Sequence, residues 1–553
     1  MHNSNLPAQP TQTGAANATR GDVTAKTSAT ANPTPAIPRV LSIAGTDPTG
    51  GAGQTADLKS IAAAGGFGMS VVTALVSQNT HGVQAIEEID HGFVRKQFDS
   101  VFGDVTVDAI KIGMLGDAAT VALVREALRD NPTPVVVLDP VMVSSSGHRL
   151  LEEEAEDAVR GLVADVDVIT PNVPELAVLT GKDSATDYEA AVAQAQPLAR
   201  ENDTIVIVKG GHLSGERADN AVVYPDGRVD RVPTYRIDTR NTHGTGCSLS
   251  SALATRMGLG EEAGAALRWS TRWLHEAIEN GKKLRVGDGT GFGPVDHSHR
   301  SRRLEQAASS EIWPHLRGEL PEGEVYAAAP TPHLAPAGPH TRRLWELTGQ
   351  VWQEIMELPF IRGLASGRLP EEDFNFYLAQ DALYLNRYSR ALAELSTKAP
   401  DSAGQVMWAN SAAGCIEGEA ELHRSWLAGR GIEDASANPV APSPVTLAYT
   451  NFLVATAAVE PYVCGVAGVL PCFWLYAEIG LELTRANHST HPFKAWLDTY
   501  ADEEFLSGAR EAIQRTEAAF SAASEEEREA ATSAYLNAAV YEREFFDQAD
   551  RRW

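Results

Sequence analysis

Cysteine is scarce in this chain, and basic charge is outnumbered. Four cysteines fall in 553 residues, at Cys247, Cys415, Cys464 and Cys472. So few, without the paired spacing of zinc ligands, make neither a disulfide framework nor a structural metal site, and they suit a reducing cytosol. The 46 Lys and Arg residues are exceeded by 73 Asp and Glu, a formal charge of −27. That balance repels nucleic-acid backbones and anionic membrane surfaces, so small molecules are the expected partners. No basic start followed by an apolar run marks a secretory leader. The apolar stretches are broken by Gly, Pro, Glu or Asn short of the roughly 20 residues of a membrane span. A cytoplasmic location is therefore expected.

Aliphatic side chains are also nearly missing from residues 1–37, which are mostly Ala, Thr, Asn, Pro, Gly and Ser. Such a segment buries too little surface to offset its ordering entropy and is expected to be a disordered tail. From Val40 the pattern changes. Short β-branched runs, VLSIAG, TALVSQ, AIKIGML, PVVVLDPVM, DVITPN and TIVIVKGG, alternate with helix-like segments such as 117–129 and 185–200. That rhythm predicts an α/β domain over 38–305, a mainly parallel sheet with helices on both faces. Residues 306–340, rich in Pro, Ala and Gly, read as a linker. Beyond Thr341, apolar residues recur at three- and four-residue spacing through 342–358, 371–397, 404–429, 445–469 and 503–551, predicting an all-helical bundle over 341–553. At 553 residues the chain is too long for one core, consistent with this division.

Two glycine-rich turns carry the first chemical signal. Gly45-Thr46-Asp47-Pro48-Thr49-Gly50-Gly51-Ala52-Gly53 follows the first strand, and by itself it reads equally as a strand-to-helix turn. It matches neither the dinucleotide nor the Walker A pattern. The second, Asn241-Thr242-His243-Gly244-Thr245-Gly246-Cys247, opens directly into the helical run SLSSALAT. Free amides at that helix start would face an anion such as a transferring phosphate. Cys247, in the first helical turn, is expected to have a depressed pKa and to serve as a base or acceptor for an alcohol. Asn172-Val173-Pro174-Glu175 and Lys209-Gly210-Gly211-His212 each follow a strand, where open α/β sheets bind ligands. There Glu175, aided by Asp139, can hold Mg²⁺, and Lys209 can reach a nucleotide phosphate.

The segments AGTDPTGGAGQTADLK, TALVSQNTHGV, KIGMLG, LDPVMVSSSG, TPNVPE, VKGGH and HGTGCSLSSAL stand in the order found in hydroxymethylpyrimidine kinases of the ribokinase superfamily, which residues 38–300 resemble. The resemblance implies that Gly45, Asp57, Gln78, Met114 and Val141 surround an aminopyrimidine. It implies that Asn172, Lys209 and the turn Gly244-Thr245-Gly246 bind ATP, with Asp139 and Glu175 at Mg²⁺ and Cys247 where much of the superfamily has a catalytic aspartate. Two successive phosphorylations are implied, of the hydroxymethyl group and then of the monophosphate.

In the second half, Gln380-Asp381-Ala382-Leu383-Tyr384 puts an acid and a tyrosine on one helix face. Leu470-Pro471-Cys472 places a cysteine at an apparent helix start, and Tyr541-Glu542-Arg543-Glu544-Phe545 adds a carboxylate to an aromatic turn. With FIRGLASGRLPEEDFNFYLAQD and HPFKAWLDTYADEEF, these segments resemble the thiaminase II (TenA-like) family over 341–553, whose fold is the haem-oxygenase-like helical bundle. That resemblance implies Cys472 as nucleophile, Glu542 managing a ring-nitrogen proton, Asp381 on an exocyclic amine, and Tyr384, Tyr449, Tyr476, Tyr500 and Phe545 around the pocket. The implied substrate is thiamin or aminomethylpyrimidine, and the product hydroxymethylpyrimidine. Phe473 stands where such proteins often have tyrosine. The competing expectation is a pyridoxal-type kinase with a non-catalytic helical oligomerisation or regulatory module. Relatives of both halves suggest a homo-oligomer, a dimer or tetramer.

Overall fold

The computed structural model describes residues 37–142, 155–310, 312–317, 328–428 and 441–551. The expected tail (1–36), the SSSG end of the LDPVMVSSSG segment and residues 318–327 of the expected linker lie outside them. Chain contacts divide the protein into two compact units between Arg303 and Leu304.

The first unit contains β1 (Arg39–Ala44), α1 (Gly53–Ala63), β2 (Phe67–Val72), β3 (Ala74–Asn79), β4 (Gly82–Glu88), α2 (His91–Phe102), β5 (Ala109–Ile112), α3 (Ala118–Asp130), β6 (Val135–Leu138), α4 (Glu156–Leu162), β7 (Val168–Ile169), α5 (Val173–Thr180), α6 (Tyr188–Asn202), β8 (Ile205–Lys209), β9 (Asn220–Val223), β10 (Val229–Val232), α7 (Thr245–Gly258) and α8 (Ala263–Gly281), with α9 (His299–Ala307) at the division. Eight strands form one sheet in the order β10-β9-β8-β7-β6-β5-β1-β2. It is parallel from β2 to β8, with β9 and β10 antiparallel at one edge.

Alternation along the strands assigns the two faces. Val40, Ala109, Val137, Val168 and Ile207 meet α1, α7 and α8 through Ile61, Leu253 and Trp273. Their neighbours Leu41, Ile110, Val136, Ile169 and Val206 meet the other helices through Phe98, Val124 and Leu176. Asp90, Asp117 and Asp187 accept the free amides at the starts of α2, α3 and α6.

One strand departs from the sequence reading. TALVSQ does not join the parallel sheet; it becomes β3, paired antiparallel with β4 in a separate two-stranded hairpin. The physical reason is its alternation, with Ala74 and Val76 buried but Leu75 half exposed, so it has only one apolar face to cover.

The second unit is helical throughout its described elements: α10 (Pro339–Leu347), α11 (Gly349–Glu357), α12 (Pro359–Ser366), α13 (Glu371–Lys398), α14 (Ser402–Ala428), α15 (Pro444–Val459), α16 (Tyr462–Leu483), α17 (Lys494–Tyr500), α18 (Glu503–Ala522) and α19 (Glu525–Asp547). The expected helix 342–358 breaks at Thr348, 445–469 breaks at Glu460-Pro461, and 503–551 breaks at Ser524, whose side chain and that of Glu527 form a capping box. The central α16 packs against α13, α15, α18 and α19. Its segment Tyr462–Ala486 is apolar and long enough to cross a membrane, contrary to the sequence reading, with mean hydropathy 1.5. Yet 89% of the 18-residue window with that hydropathy is buried inside the protein, as expected of a core helix.

Much of the expected linker is packed on this unit. The buried Glu478 carboxylate accepts from the backbone amides of His333 and Leu334, both at 2.7 Å, and the Trp345 indole donates to the Pro330 carbonyl at 2.7 Å. Glu517 accepts from Thr341 N at 2.7 Å at the start of α10. Glu478→Ala removes the acceptor of two amides at once and is expected to destabilise the helical unit by about 3 kcal/mol, with Glu478→Gln losing about half as much. Urea unfolding of the full chain checks this, and an unchanged midpoint for Glu478→Ala refutes it.

Candidate functional site

The two glycine-rich turns of the first unit meet. Gly53 has φ +57°, and a Cβ there would lie 2.4 Å from the Gly45 carbonyl oxygen. Gly244 has φ +80°, and its Cβ would lie 1.7 Å from the Gly51 carbonyl. A side chain at Gly53 would force the first turn open, and one at Gly244 would push the second turn off the first. The Asp47 carboxylate joins them: it accepts from Thr49 N at 2.8 Å, Gly51 N at 3.1 Å and Ala52 N at 2.7 Å, and contacts His243 Nε2 at 2.9 Å. Burial opposes ionisation of Asp47, but His243 and Thr49 hold its pKa below the usual carboxylate value.

Beside these turns a cavity of about 470 Å³ opens at the carboxyl ends of the parallel strands. Its wall includes Gly45, Gln78, Met114 and Val141 from one set of expected residues, and Asp139, Asn172, Glu175, Lys209, Gly244, Thr245, Gly246 and Cys247 from the other. Asp57 is a correction, because it does not reach the wall. Its side chain is fully buried, taking Lys111 Nζ at 2.8 and 2.9 Å, Ser42 Oγ at 2.7 Å and Ser251 Oγ at 2.8 Å. A buried lysine requires such a partner, and Asp57 supplies it from α1. Lys111 was not singled out in the sequence, although a lysine inside the apolar strand AIKI is the signal that could have found it.

The expected anion site has a defined electrostatic frame. Lys209 Nζ donates to Asp139 Oδ1 at 2.8 Å and stands 3.9 Å from Glu175 Oε2. Thr170 Oγ1 donates to Asp139 at 2.9 Å. Glu175 also closes the capping box of α5, with Asn172 N donating to Oε2 at 2.8 Å. Burial pushes Asp139 up, but Lys209 and Lys111 hold it below the ordinary value; burial raises Glu175 to about 7, against the pull of Lys209 and with the push of Asp139. No group of three or more His, Cys, Asp and Glu side chains forms a metal site among the described residues. Two neighbouring carboxylates, one raised toward neutrality by burial, do fit a hard cation that takes its other ligands from phosphates and water.

The turn at Gly244 begins α7, and a Cβ on Gly246 would lie 3.4 Å from both Asp139 Oδ2 and Lys209 Nζ, so its backbone adjoins the charged cluster. The expected depression of the Cys247 pKa is not found. Burial pushes the thiol up to about 11; Lys111 opposes this, but Asp57 and Asp139 add to it. The helix dipole is outweighed by loss of water and two nearby carboxylates.

In the helical unit the expected residues converge from five helices. Asp381 and Tyr384 come from α13, Tyr449 from α15, Cys472 and Tyr476 from α16, and Glu542 and Phe545 from α19, with Tyr500 at the end of α17. Tyr449 donates to Glu542 Oε1 at 2.6 Å, while the buried Glu542 Oε2 has no hydrogen-bond partner among the described residues. Ring centroids lie 5.2 Å apart for Tyr384 and Tyr449, 5.3 Å for Tyr384 and Phe545, and 5.0 Å for Tyr476 and Tyr500. Cys472 is not at a helix start as expected: it sits midway along α16, directly after the internal Pro471. The helix continues through proline because VCGVAGVL before it is already helical and buried.

Burial raises Cys472 well above the ordinary thiol value, and Glu542 raises it further, while the Tyr384 and Tyr388 phenols oppose the shift. Burial lifts Glu542 to about 8, against the Tyr449 hydrogen bond and with the push of Asp381. The sequence reading missed Tyr388, whose hydroxyl donates to the Val469 carbonyl at 2.9 Å, and Tyr377, 3.3 Å from the Tyr476 hydroxyl. The spacing of Tyr377, Asp381, Tyr384 and Tyr388, all on one face of α13, is the signal that could have found them.

The fold and sites define a two-part enzyme: an α/β phosphoryl-transfer unit and a helical unit carrying a buried Cys–Glu–Tyr centre. Residues 47–296 match the phosphomethylpyrimidine kinase family, and residues 346–552 match the TENA/THI-4/PQQC family. The thiamine biosynthesis multifunctional protein ThiED of Corynebacterium efficiens is 57% identical over 521 residues, covering 94% of this chain and 70% of that protein. The protein of the same description from Corynebacterium glutamicum is 55% identical over 525 residues, covering 94% and 68%. A putative hydroxymethylpyrimidine/phosphomethylpyrimidine kinase 2 of Schizosaccharomyces pombe is 30% identical over 505 residues, covering 87% and 85%. The chain belongs to this family of multifunctional thiamine biosynthesis proteins.

The raised pKa of Glu542 gives a pH prediction with a definite sign. The native state binds this proton more tightly than the unfolded chain, so stability of the helical unit is fully present below the ordinary carboxyl value of 4.5 and is lost as pH rises through about 8. The loss is on the order of a few kcal/mol, and Glu542→Gln is expected to abolish it. Unfolding midpoints at pH 5.5 and 8.5 check this, and equal pH slopes for the two proteins refute it.

Proposed function

We propose that the first unit transfers the γ-phosphoryl group of ATP to 4-amino-5-hydroxymethyl-2-methylpyrimidine and then to the monophosphate, and that the helical unit supplies the same hydroxymethylpyrimidine by Cys472-dependent hydrolysis. The observation that carries the reading is the single cavity in which the pyrimidine-facing residues and the cluster of Lys209, Asp139, Glu175 and the α7 turn share one wall. Gly45, Gln78, Met114 and Val141 hold the ring. The amides at the start of α7 and Lys209 hold the transferring phosphate, with Asn172 beside it. Asp139 and Glu175 would hold Mg²⁺, which supplies charge neutralisation between the phosphates.

In the first phosphorylation the hydroxymethyl oxygen attacks the γ-phosphorus, ADP leaves and the hydroxyl proton must depart. In the second the attacking phosphate oxygen is already anionic. Cys247, with a thiol near 11, holds its proton at neutral pH and contributes as a hydrogen-bonding group at the hydroxyl, not as a standing thiolate. Cys247→Ala is therefore expected to slow the first phosphorylation about tenfold more than the second, measured separately on each substrate; equal losses remove Cys247 from the proton path.

In the helical unit, Cys472 sulfur adds to the pyrimidine ring as Glu542 protonates a ring nitrogen and its carboxylate takes up the thiol proton, which then goes to the departing group, while Asp381 holds the exocyclic amine. The group on the adjacent methylene leaves, water adds there, and expulsion of sulfur restores the aromatic ring. The substrate is aminomethylpyrimidine or thiamin, since hydrolysis of either yields the hydroxymethylpyrimidine that the kinase unit consumes. The pyridoxal-kinase alternative is not favoured, since the relatives are described as hydroxymethylpyrimidine and phosphomethylpyrimidine kinases. A homo-oligomer is part of the proposal.

The test incubates the full chain with aminomethylpyrimidine, with and without Mg-ATP, and resolves the products by mass. Conversion to hydroxymethylpyrimidine alone, and onward to mono- and diphosphate with ATP, is expected. Cys472→Ser is expected to lower the hydrolysis by at least about a thousandfold while phosphorylation of added hydroxymethylpyrimidine continues. Hydrolysis surviving in Cys472→Ser refutes the covalent route.

A further inference from the structure

The β3–β4 hairpin holds Gln78 at the cavity but is separate from the eight-stranded sheet. Its base is held by Val76 N, which donates to Thr46 Oγ1 at 2.8 Å, and by Thr46 N, which donates to the Ala74 carbonyl at 3.0 Å. Its tip is held from elsewhere in the chain, by the glycine-rich segment 286–293. Phe292 N donates to the Thr80 carbonyl at 2.7 Å, and the surface pair His81 Nε2 and Asp288 Oδ2 lies at 3.2 Å. A Cβ on Gly291 would meet the Thr80 carbonyl oxygen at 2.4 Å, and one on Gly287, at φ +85°, would meet Thr80 Oγ1 at 2.8 Å. Both glycines are therefore required by the close approach to Thr80.

The other end of the same segment is fastened to the phosphate turn. His243 N donates to the Gly293 carbonyl at 3.0 Å, Gly293 N donates to the Arg240 carbonyl at 3.1 Å, and Arg240 Nη1 donates to the Thr290 carbonyl at 2.6 Å. Asp288 fixes the middle by accepting from Thr290 N at 2.9 Å and Thr290 Oγ1 at 2.8 Å. One short strap thus touches the hairpin that carries Gln78 and the turn that begins α7. The hairpin register is irregular between Ser77 and Gln78, so the aim of the Gln78 carboxamide depends on how the tip beyond it is held.

We propose that the strap 286–293 is a positioning element for the kinase reaction: by clamping Thr80 to the turn at His243, it fixes Gln78 over the cavity and sets affinity for the aminopyrimidine ring. The inference rests on the kinase reading above. A carboxamide displaced by an ångström loses hydrogen-bond geometry to a planar ring, whereas phosphate held by the α7 amides is unaffected.

Gly291→Ala forces the tip away from the strap, and a double-mutant cycle with Gln78→Ala isolates its route of action. In the full chain, Gly291→Ala is expected to raise the KM for hydroxymethylpyrimidine about tenfold and that for Mg-ATP by less than about twofold. In the Gln78→Ala background the same change is expected to add less than about twofold. Multiplicative losses in the two backgrounds, a parallel rise in both KM values, or no effect of Gly291→Ala overturns the inference. If Gly291→Ala does not fold, Asp288→Asn, at an exposed position, must show the same split at about threefold, and its absence there overturns the inference as well. Wild-type enzyme measured alongside separates the two readings. Failure to phosphorylate hydroxymethylpyrimidine at all would refute the proposed function, whereas a competent wild type with multiplicative variants refutes the strap alone.

Discussion

The kinase unit depends on one buried carboxylate. Asp47 accepts the amides of its own glycine-rich turn and contacts His243 of the second turn, which lies 196 residues further along the chain. Without that contact the two turns, so close that a Cβ on Gly244 would meet the Gly51 carbonyl, would lack the side-chain bond that joins them. Their contact brings Gly45, Cys247 and the start of α7 to one cavity, with Gly246 beside Lys209 and Asp139.

Both units solve the same electrostatic problem differently. In the first, buried charges are paired: Lys111 with Asp57, and Lys209 with Asp139. Lys209 and Lys111 together hold the Asp139 carboxyl below its ordinary value against the cost of burial. In the second, burial is the largest influence on both Glu542 and Cys472 and drives both upward. The consequence is a charged cradle for a polyanion in one unit and an acid that keeps its proton, close to a thiol that does the same, in the other. The first environment suits phosphoryl transfer, and in the second the acid can protonate a ring nitrogen while the thiol must give up its proton as it adds.

The helical unit is organised around a helix whose composition suits a membrane but whose surroundings are protein. Small residues in α16, among them Gly465, Ala467 and Gly468, lie against α13 and α15, and Leu395 Cδ2 would lie 2.6 Å from a Cβ on Gly465. This close approach is what brings Cys472 beneath the phenols of α13 and opposite Glu542 on α19.

Local pattern made much of this protein legible. The β-branched runs of β1, β5, β6 and β8 and the apolar periodicity of α13, α14 and α18 record neighbours a few residues apart, and local backbone chemistry is enough to fix them. Local spacing singled out the second glycine turn, Asn172, Glu175 and Lys209, whereas Gln78, Met114, Val141, Asp381, Cys472 and Glu542 were assigned their roles only by the resemblance of the surrounding segments to known families. What only tertiary structure decided was everything set by distant partners. TALVSQ left the parallel sheet because one of its faces has no cover, Asp57 withdrew from the cavity because Lys111 needs a counter-charge, and Cys472 proved mid-helical because buried packing carries α16 through Pro471. Cys247 rose in pKa instead of falling because burial and two carboxylates outweigh a helix dipole. Periodicity along a chain specifies which face is apolar, but the dielectric around a thiol and the partner of a buried lysine are properties of residues that meet only when the chain has folded.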